Sequence, residues 1–482
     1  MKYDIVIIGA GLGGLECGYL LSKAGMNVCV LEKNPQTGGC LQSFHRYGQH
    51  FDTGFHYVGG LGEGDLLHEI FQQFHLLDLP WKQLDTHAFD EIFYNGETYT
   101  FANRYDAFVG NLAQQFPAQR ENLIRYTDFL RRIEVRAEEL AQPKPEMQEW
   151  MSASAYAFLR QTISDEKLRN ILSATSLKME LCKDTLPLYI FGQINGSFIR
   201  SAWRLRGGGQ QIADRLADGI TAHGGTVRTR AEVTALESAD GDLLSRIKLQ
   251  SGEVIECGQV ISDIHPNALF PLIQEGVLRK RYQQRITLLP NSFGVFTVHL
   301  LLSEGKVRYR NRNLFIHENA DLWEPQTTAG SRIRSLGVHF AVPEDGAEHT
   351  RNIDLFFPME WGEVAAWAGT VRGQRGEEYE AFKQRKAEGA IRLATQYISD
   401  LQGNIEKIIT STPLTYHDYT HTWQGSAYGL RKNCEQLMTT LLPIRTPVPN
   451  LFLTGQNVNF HGVLGVSITA LMTVQTVLGR GL

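Results

Sequence analysis

The chain has 482 residues, of which 43% are hydrophobic and 21% are charged. This length exceeds what one hydrophobic core usually holds, so we expect two domains. The net charge of -5 offers no basic surface, and we therefore predict no nucleic-acid partner. The six cysteines include no C-x-x-C pair, which argues against a zinc ribbon or a disulfide framework and favours reduced thiols in a cytoplasmic protein.

The chain begins with the pattern of a βαβ unit. Residues 3–8 are a β-branched run without polar alternation, which predicts a buried parallel strand. Residues 14–24 have leucines at helical spacing, and "NVCVLEK" is a second apolar strand. The whole unit takes about 30 residues, which is the usual span.

A glycine motif, Gly9-x-Gly11-x-x-Gly14, joins the first strand to the helix. Glycines at this spacing allow a tight turn and bring a pyrophosphate close to the unpaired N–H groups of the helix N-terminus. Glu32 lies 21 residues beyond Gly11, where it can accept hydrogen bonds from a ribose. Strand, turn, helix and acidic residue together predict a dinucleotide site.

Two further glycine features favour FAD over NAD as the cofactor. "PQTGGC" places Gly38 and Gly39 just after the second strand, a pair that flavoproteins of the glutathione-reductase class use beside the flavin. The late strand in "LFLTGQNV" is followed by a helix start at 462–465, whose positive end would face the flavin pyrimidine. The triple glycine at 207–209 reads as a turn entering a helix, so no NADPH site is predicted and the electron donor or acceptor stays unidentified.

The α/β segments stand at the start, middle and end of the chain, and the middle segment includes a predicted strand at 226–236. We therefore predict an α/β fold with a glutathione-reductase-type FAD-binding Rossmann domain built from separated segments, and an inserted α+β substrate domain. The predicted FAD-binding segments are 1–65, 195–290 and 431–482. The predicted substrate segments are 66–194, largely helical, and 291–430, with mixed sheet and helix.

The segment "FDTGFHYVGG", residues 51–60, is the first candidate for catalysis. Gly54 would give the backbone room beside the cofactor. His56 and Tyr57 would then emerge beside the flavin ring, and either could act as the proton donor.

The segment 412–429 is the second candidate, because it is rich in aromatic and polar side chains. It reads as a loop that forms a pocket wall, with Tyr416 and His417 as further candidate acids. His417 and His421 have an H-x-x-x-H spacing, but no other ligand pair accompanies them, and we predict no metal. His265 precedes a proline at a strand end and is predicted to cap a turn.

Several segments in this order resemble the phytoene desaturase/carotenoid isomerase superfamily of FAD enzymes, and within it the retinol saturases. They are "GAGLGGLECGYLLSKAGMNVCVLEKNPQTGGC", "FDTGFHYVG", "RGGGQQIA", "TPLT" with "GSAYG", and "LFLTGQ". The resemblance implies a flavin domain and a domain for long conjugated polyenes, often peripheral to membranes. It implies that FAD is lined by Gly9, Gly11, Gly14, Glu32, Gly38, Gly39, Val233, Gly455 and Gln456. Neighbours of these motifs complete the predicted cofactor site: Leu12, Lys33, Cys40, Gly54, Val463 and Leu464.

The function expected is redox at a carbon–carbon double bond of a hydrophobic polyene or enone-like lipid, by saturation or desaturation through flavin N5. A non-redox polyene cis–trans isomerase, an amine oxidase and a flavin-free binding protein stay open as alternatives. No stretch reaches the ~20 apolar residues of a transmembrane helix. The amphipathic segment 123–136 has mixed charge, so peripheral membrane contact rests on the resemblance alone.

Overall fold

The structure is a computed structural model that describes residues 2–135, 139, 144–318, 321–324, 332–343 and 346–479. Within these ranges the chain is a mixed α/β protein whose strands form two seven-stranded sheets and two smaller ones. The last residue of the amphipathic segment, Arg136, lies outside the described ranges. No helix in the described part of the chain combines the length and apolarity needed to cross a bilayer.

Helices and strands are numbered in chain order over the described residues. Helices α1 to α15 are Leu12–Lys23, Leu66–Gln73, Tyr105–Gln115, Arg120–Ile133, Met147–Ser152, Ala155–Thr162, Glu166–Leu172, Leu188–Arg200, Gln210–Ala222, Pro266–Leu269, Lys280–Thr287, Glu377–Ala394, Pro413–Tyr419, Leu437–Thr440 and Gly462–Leu478. Strands β1 to β19 are Lys2–Ile8, Val28–Leu31, Ser43–Arg46, Gln49–Asp52, Val58–Gly59, Trp81–Gln83, Asp90–Tyr94, Glu97–Phe101, Ala202–Leu205, Thr226–Arg228, Val233–Ser238, Leu244–Leu249, Val254–Ser262, Gly294–Leu302, Asn313–His317, Ser335–Phe340, Asn352–Met359, Ile405–Ser411 and Leu451–Leu453.

The first large sheet has the order β10-β2-β1-β13-β12-β11, with β19 also paired to β13. Strand β1 is parallel to β2 and β13, and β19 is parallel to β13. Alternate residues of β1 enter two different cores: Ile5 and Ile7 pack in one, Val6 and Ile8 in the other. Burial on both faces explains why this strand has no polar alternation. Helices α1, α9 and α15 pack together over the sheet.

One predicted strand in this sheet is wrong. The run at 226–236 forms two strands, β10 and β11, which lie at opposite edges of the sheet. Arg230 between them adopts a left-handed backbone conformation (φ 54°), which ends the first strand.

The second large sheet has the order β18-β14-β17-β16-β15-β7-β8. Strands β7 and β8 come from the region predicted to be largely helical, and β7 pairs in parallel with β15. Helix α12 packs on β16 and β17. The segment 66–194 is therefore split between helices and an edge of this sheet.

A small sheet, β5-β9-β6, fixes the segment 51–60 in space. Val58 pairs with Trp203, and Gly59 pairs with Ala202. A Cβ on Gly59 would lie 2.6 Å from the backbone nitrogen of Phe198 on α8, so only glycine allows this approach. The side chains just before Gly59 are thereby held against α8.

The segment 412–429 is not a loop throughout, because Pro413–Tyr419 form α13. Thr412 and Thr415 make a reciprocal capping box, and Pro413 occupies the first turn. Both features favour a helix N-terminus, so the signal was present in the sequence. The predicted closing helix is confirmed as α15, which Gly479 ends in a left-handed conformation.

Candidate active site

A cleft of about 430 Å³ lies where β1 and β2 end and α1 begins, and we call it the glycine cleft. Most of the residues predicted for the cofactor line it: Gly9, Gly11, Leu12, Glu32, Lys33, Gly38, Gly39, Cys40, Gly54, Val233, Gln456 and Val463. Gly14 and Gly455 lie behind this wall, and Leu464 lines the neighbouring cavity instead.

The glycines of the cleft are required by close backbone contacts. Gly9 has φ +98°, and Gly11 forms a bridge with Gly38, which has φ +111°. A Cβ on Gly14 would lie 2.1 Å from the carbonyl oxygen of Gly9. The turn therefore brings the N-terminus of α1 to the cleft floor without side chains in between, as a bound pyrophosphate needs.

Glu32 lies at the end of β2 and borders the cleft. Its Oε2 accepts a hydrogen bond from the N–H of Ala10 (3.0 Å), and its Oε1 accepts one from the N–H of Asn34 (2.9 Å). Burial raises the pKa of this carboxyl, while these hydrogen bonds oppose the shift. The contacts fix the carboxylate at the position predicted for a ribose ligand.

Asp263, just after β13, was not predicted and supports the whole glycine turn. Cβ atoms placed on Gly11, Gly13, Gly14 or Gly455 would all come within 3.3 Å of its carboxylate oxygens. The backbone N–H groups of Gly11 and Gly14 donate to it, and burial raises its pKa to about 7. The signal for this role was its place at the end of the strand that pairs with β1.

A second space of about 190 Å³, here called the apolar cavity, adjoins the glycine cleft. Four residues line both: Gly54, Tyr428, Gly462 and Val463. The remaining wall is mainly aromatic and aliphatic, and comes from α8, α15 and the second large sheet. Helix α15 begins at this junction, and its N-terminus is the positive end of the helix dipole.

His56 and Tyr57 both line the apolar cavity. His56 stacks on Phe356 (ring centroids 5.0 Å apart), and its Nδ1 lies 3.8 Å from Asp354 Oδ2. Burial lowers the pKa of His56. The Tyr57 hydroxyl donates to Asp90 Oδ2 (3.2 Å). Burial, with the nearby Asp90 carboxylate, raises the pKa of Tyr57 well above 10, which makes it a poor proton donor.

Tyr416 and His417 line neither the cleft nor the cavity. The Tyr416 hydroxyl is buried against Thr297 Oγ1 (2.8 Å) and donates to the carbonyl oxygen of Thr53. The His417 side chain is 41% exposed and bonds to Asp418. Helix α13 turns both side chains away from the cavity, which the loop interpretation did not anticipate.

Two histidines singled out in the sequence, His421 and His265, lie in different surroundings. His421 borders the glycine cleft, and the described residues contain no group of three or more His, Cys, Asp or Glu side chains arranged to hold a metal. His265 is confirmed as a cap, since its Nδ1 accepts the N–H of Asn267 at the start of α10. The six cysteines are free thiols.

The sequence profile of the family described as flavin containing amine oxidoreductase matches residues 12–478. The chain belongs to this flavin-dependent family. It is 24% identical to all-trans-retinol 13,14-reductase of Macaca fascicularis, over all of this chain and 86% of that protein. It is 21% identical to a 4,4'-diapophytoene desaturase of Methylomonas sp, over 90% of this chain and 86% of that protein.

The solved structure of an oxidoreductase from Methanosarcina mazei has the same fold, with a TM-score of 0.65 and 19% identity over the full length of both chains. This protein is thus a flavin-containing oxidoreductase, and its cofactor is FAD, as its sequence predicted. The glycine cleft fits that group, because its glycines leave a bare backbone floor and Glu32 stands at the end of β2.

Sequence reasoning missed Lys178 in this flavoprotein. Its ammonium lies 3.3 Å from Asp90 Oδ2 and 3.9 Å from the ring centroid of Phe198, at the wall of the apolar cavity. Burial lowers its pKa. Its backbone carbonyl pairs with His461 Nε2 (3.0 Å), which ties the loop to the start of α15. No short motif marks this lysine, because its partners are far away in the chain.

Proposed function

We propose that this flavoprotein saturates or desaturates a carbon–carbon double bond in a hydrophobic polyene or enone-like lipid. The observation that carries the proposal is the junction at Gly54, Tyr428, Gly462 and Val463, where the glycine cleft meets the apolar cavity. The names of the reductase and desaturase relatives agree with this substrate class. A glutathione-reductase-type FAD domain, built from segments 1–65, 195–290 and 431–482, is part of the same proposal.

FAD supplies hydride transfer when bound. The residues of the chain position the substrate, exclude water and donate a proton. The cavity wall of aromatic and aliphatic side chains holds the alkene and excludes water. The N-terminus of α15 favours negative charge at the junction. His56 is the proposed acid, because it faces the cavity and Asp354 lies behind it to balance a protonated imidazole.

Amine oxidation is the weaker candidate, although it matches the family description. A substrate ammonium needs a carboxylate or an acceptor cage, and no Asp or Glu lines the cavity among the described residues. Lys178 already places a cation there, and Asp90 is held by Lys178, Tyr57 and Asn313. A non-redox isomerase fits the same cavity and is separated from the proposal by product mass.

The test is anaerobic photoreduction of the purified holoprotein, followed by reoxidation with a panel of polyenes and enones. A product heavier by two hydrogens supports saturation, and the reverse loss from a saturated analogue by the oxidised protein supports desaturation. A product of unchanged mass supports isomerisation, and peroxide formed with amines alone supports amine oxidation. A cytoplasmic location stays a prediction. Peripheral membrane contact is also a prediction, and liposome flotation checks it.

His56→Ala removes the proposed acid, and Tyr57→Phe removes a hydrogen bond that holds Asp90 beside Lys178. Both variants are expected to keep bound FAD and to lose turnover. For reduction, the rate with the wild-type protein should rise as pH falls below 6.5, because burial lowers the pKa of His56 below that value. If both variants keep full activity, or if either loses its flavin, the segment 51–60 is scaffold and the acid lies elsewhere.

A further inference from the structure

Lys178 is the single lysine or arginine among the described residues that line the apolar cavity. Its side chain is 11% exposed, and its ammonium lies over the rings of Phe198 (3.9 Å) and Tyr57 (5.2 Å). A cation is costly in such a place unless it has partners. Its position therefore requires acceptors, from the protein or from a ligand, for its N–H groups.

Asp90 accounts for only part of the hydrogen-bonding capacity of Lys178. An ammonium has three N–H donors, and Asp90 is its one hydrogen-bond acceptor within the described ranges. Asp90 is fully buried and also accepts from Tyr57 (3.2 Å) and from Asn313 Nδ2 (2.7 Å). The pair is thus neutral as a whole, and Lys178, which lines the cavity, keeps N–H donors that no hydrogen-bond acceptor among the described residues takes up.

A second polar side chain in this wall lacks a protein partner. His339 is 5% exposed, and neither ring nitrogen has a hydrogen-bond partner among the described residues. Its ring centroid lies 5.4 Å from that of Tyr57. The Lys178 ammonium and the His339 imidazole, both beside Tyr57, thus have unused hydrogen-bonding capacity. This indicates that the cavity accepts a ligand with a polar atom at this end.

The charges select among ligand groups. A carboxylate would bring a second anion to a cation that Asp90 already neutralises, and an ammonium would be repelled. A hydrocarbon would leave the Lys178 donor without a partner. A neutral acceptor oxygen satisfies the donor and adds no charge.

We propose that Lys178, with Asp90 as its counter-ion, binds the carbonyl oxygen of a conjugated ketone or aldehyde, which is the polar end of the lipid substrate. This inference rests on the proposed function and narrows its substrate class from polyenes in general to enones and enals. Lys178 acts on the substrate directly, while Asp90 and Tyr57 position it.

A carbonyl at this position also explains how reduction proceeds. Bound reduced FAD would supply the hydride for the C–H bond formed at the carbon remote from the carbonyl, and the electron pair of the broken π bond would place negative charge on the carbonyl oxygen. The Lys178 ammonium stabilises the negative charge on that oxygen. The proton from His56 then completes the addition of two hydrogens.

The test measures binding to oxidised holoprotein, so that no turnover is needed. The probes are β-ionone, its alcohol β-ionol and the hydrocarbon with the same carbon skeleton. In the wild type the ketone should bind at least about tenfold more tightly than the hydrocarbon, the size expected for a hydrogen bond from a charged group. It should also bind more tightly than the alcohol, because a conjugated carbonyl oxygen is the stronger acceptor. Lys178→Met should reduce this preference to within about threefold and leave the hydrocarbon Kd unchanged.

Two further variants keep the result interpretable. Lys178→Met with Asp90→Asn removes both charges, and so covers the case in which a stranded Asp90 unfolds the single variant. Lys386→Met is the matched control. It breaks another buried ion pair, between Lys386 on α12 and Glu363 (2.8 Å), and should keep the ketone preference. A downshifted C=O stretch of bound β-ionone should be present in the wild type and absent without Lys178.

Equal Kd values for the three probes in the wild type, or a ketone preference that survives loss of Lys178, would overturn the inference. The alcohol binding as tightly as the ketone, with the same dependence on Lys178, would overturn the carbonyl assignment. If no enone or polyene is ever reduced or formed but the Lys178-dependent ketone preference is found, the proposed function fails and this site stands.

Discussion

Glu16 is a buried acid whose replacement should change how stability depends on pH. It lies on α1 with none of its surface exposed, and its Oε1 accepts a hydrogen bond from Ser467 Oγ on α15 (2.6 Å). Burial raises its pKa from 4.5 to about 8. The folded protein therefore keeps the proton across a range in which the unfolded chain has lost it.

The sign and size of the effect follow from this difference. Below pH 4.5 the carboxyl is neutral in both states, and between pH 4.5 and about 8 the unfolded state is favoured progressively more. Each pH unit in this window is worth about 1.4 kcal/mol. Glu16→Gln cannot ionise at this position. The difference in free energy of unfolding between this variant and the wild type should therefore shift in favour of the variant by about 3–5 kcal/mol from pH 4.5 to pH 8.

The assay is thermal or urea unfolding of flavin-saturated wild type and Glu16→Gln between pH 5 and 8. The test compares how the free energy of unfolding of each protein changes with pH. Glu16 Oε2 has no hydrogen-bond partner, so an amide there carries a cost, but this cost does not change with pH and cancels. Glu121→Gln, at an exposed position on α4, is the control and should follow the wild type. Parallel stability curves for wild type and Glu16→Gln would refute the reasoning.

Three further substitutions test the cofactor cleft and the excluded candidates. Gly14→Ala would place Cβ 2.1 Å from the Gly9 carbonyl oxygen and should weaken FAD binding at least about tenfold, measured by flavin titration, whereas Gly110→Ala, with open space around its Cβ, should not. Asp263→Asn should tighten FAD binding about three- to tenfold at pH 8 and little at pH 6. The reason is that the Asp263 pKa of about 7 leaves a carboxylate that repels FAD only at the higher pH. Equal ratios of the wild-type Kd to the variant Kd at both pH values would contradict this. His417→Ala should keep turnover within about twofold of the wild type, since that side chain is 41% exposed and lines neither space; a large loss would return it to the active site.

The glycine cleft was predictable because most of it is local in sequence. The turn, α1 and Glu32 lie within about thirty residues, and each has a residue type tied to one backbone need. The Gly38–Gly39 pair follows directly. Asp263 was missed because its role is to fill the space beneath that turn, and such packing depends on a strand more than 200 residues away.

Two errors came from patterns whose local meaning was ambiguous. Residues 226–236 have a continuous strand-like composition, yet one left-handed residue, Arg230, divides them between the two edges of a sheet. Within residues 412–429, the helix α13 has only 7 residues and is too short for a clear helical period, so the capping box at Thr412 was the better guide to it. That helix decides where Tyr416 and His417 point.

The sequence by itself determined the cofactor and the family resemblance, because these follow from short motifs with fixed backbone geometry. Only the tertiary structure decided which polar groups reach the substrate cavity. Lys178 meets Asp90 across 88 residues, a contact that no periodicity encodes. Burial then changes the chemistry of both Lys178 and Tyr57, since a pKa is set by surroundings that the sequence does not contain.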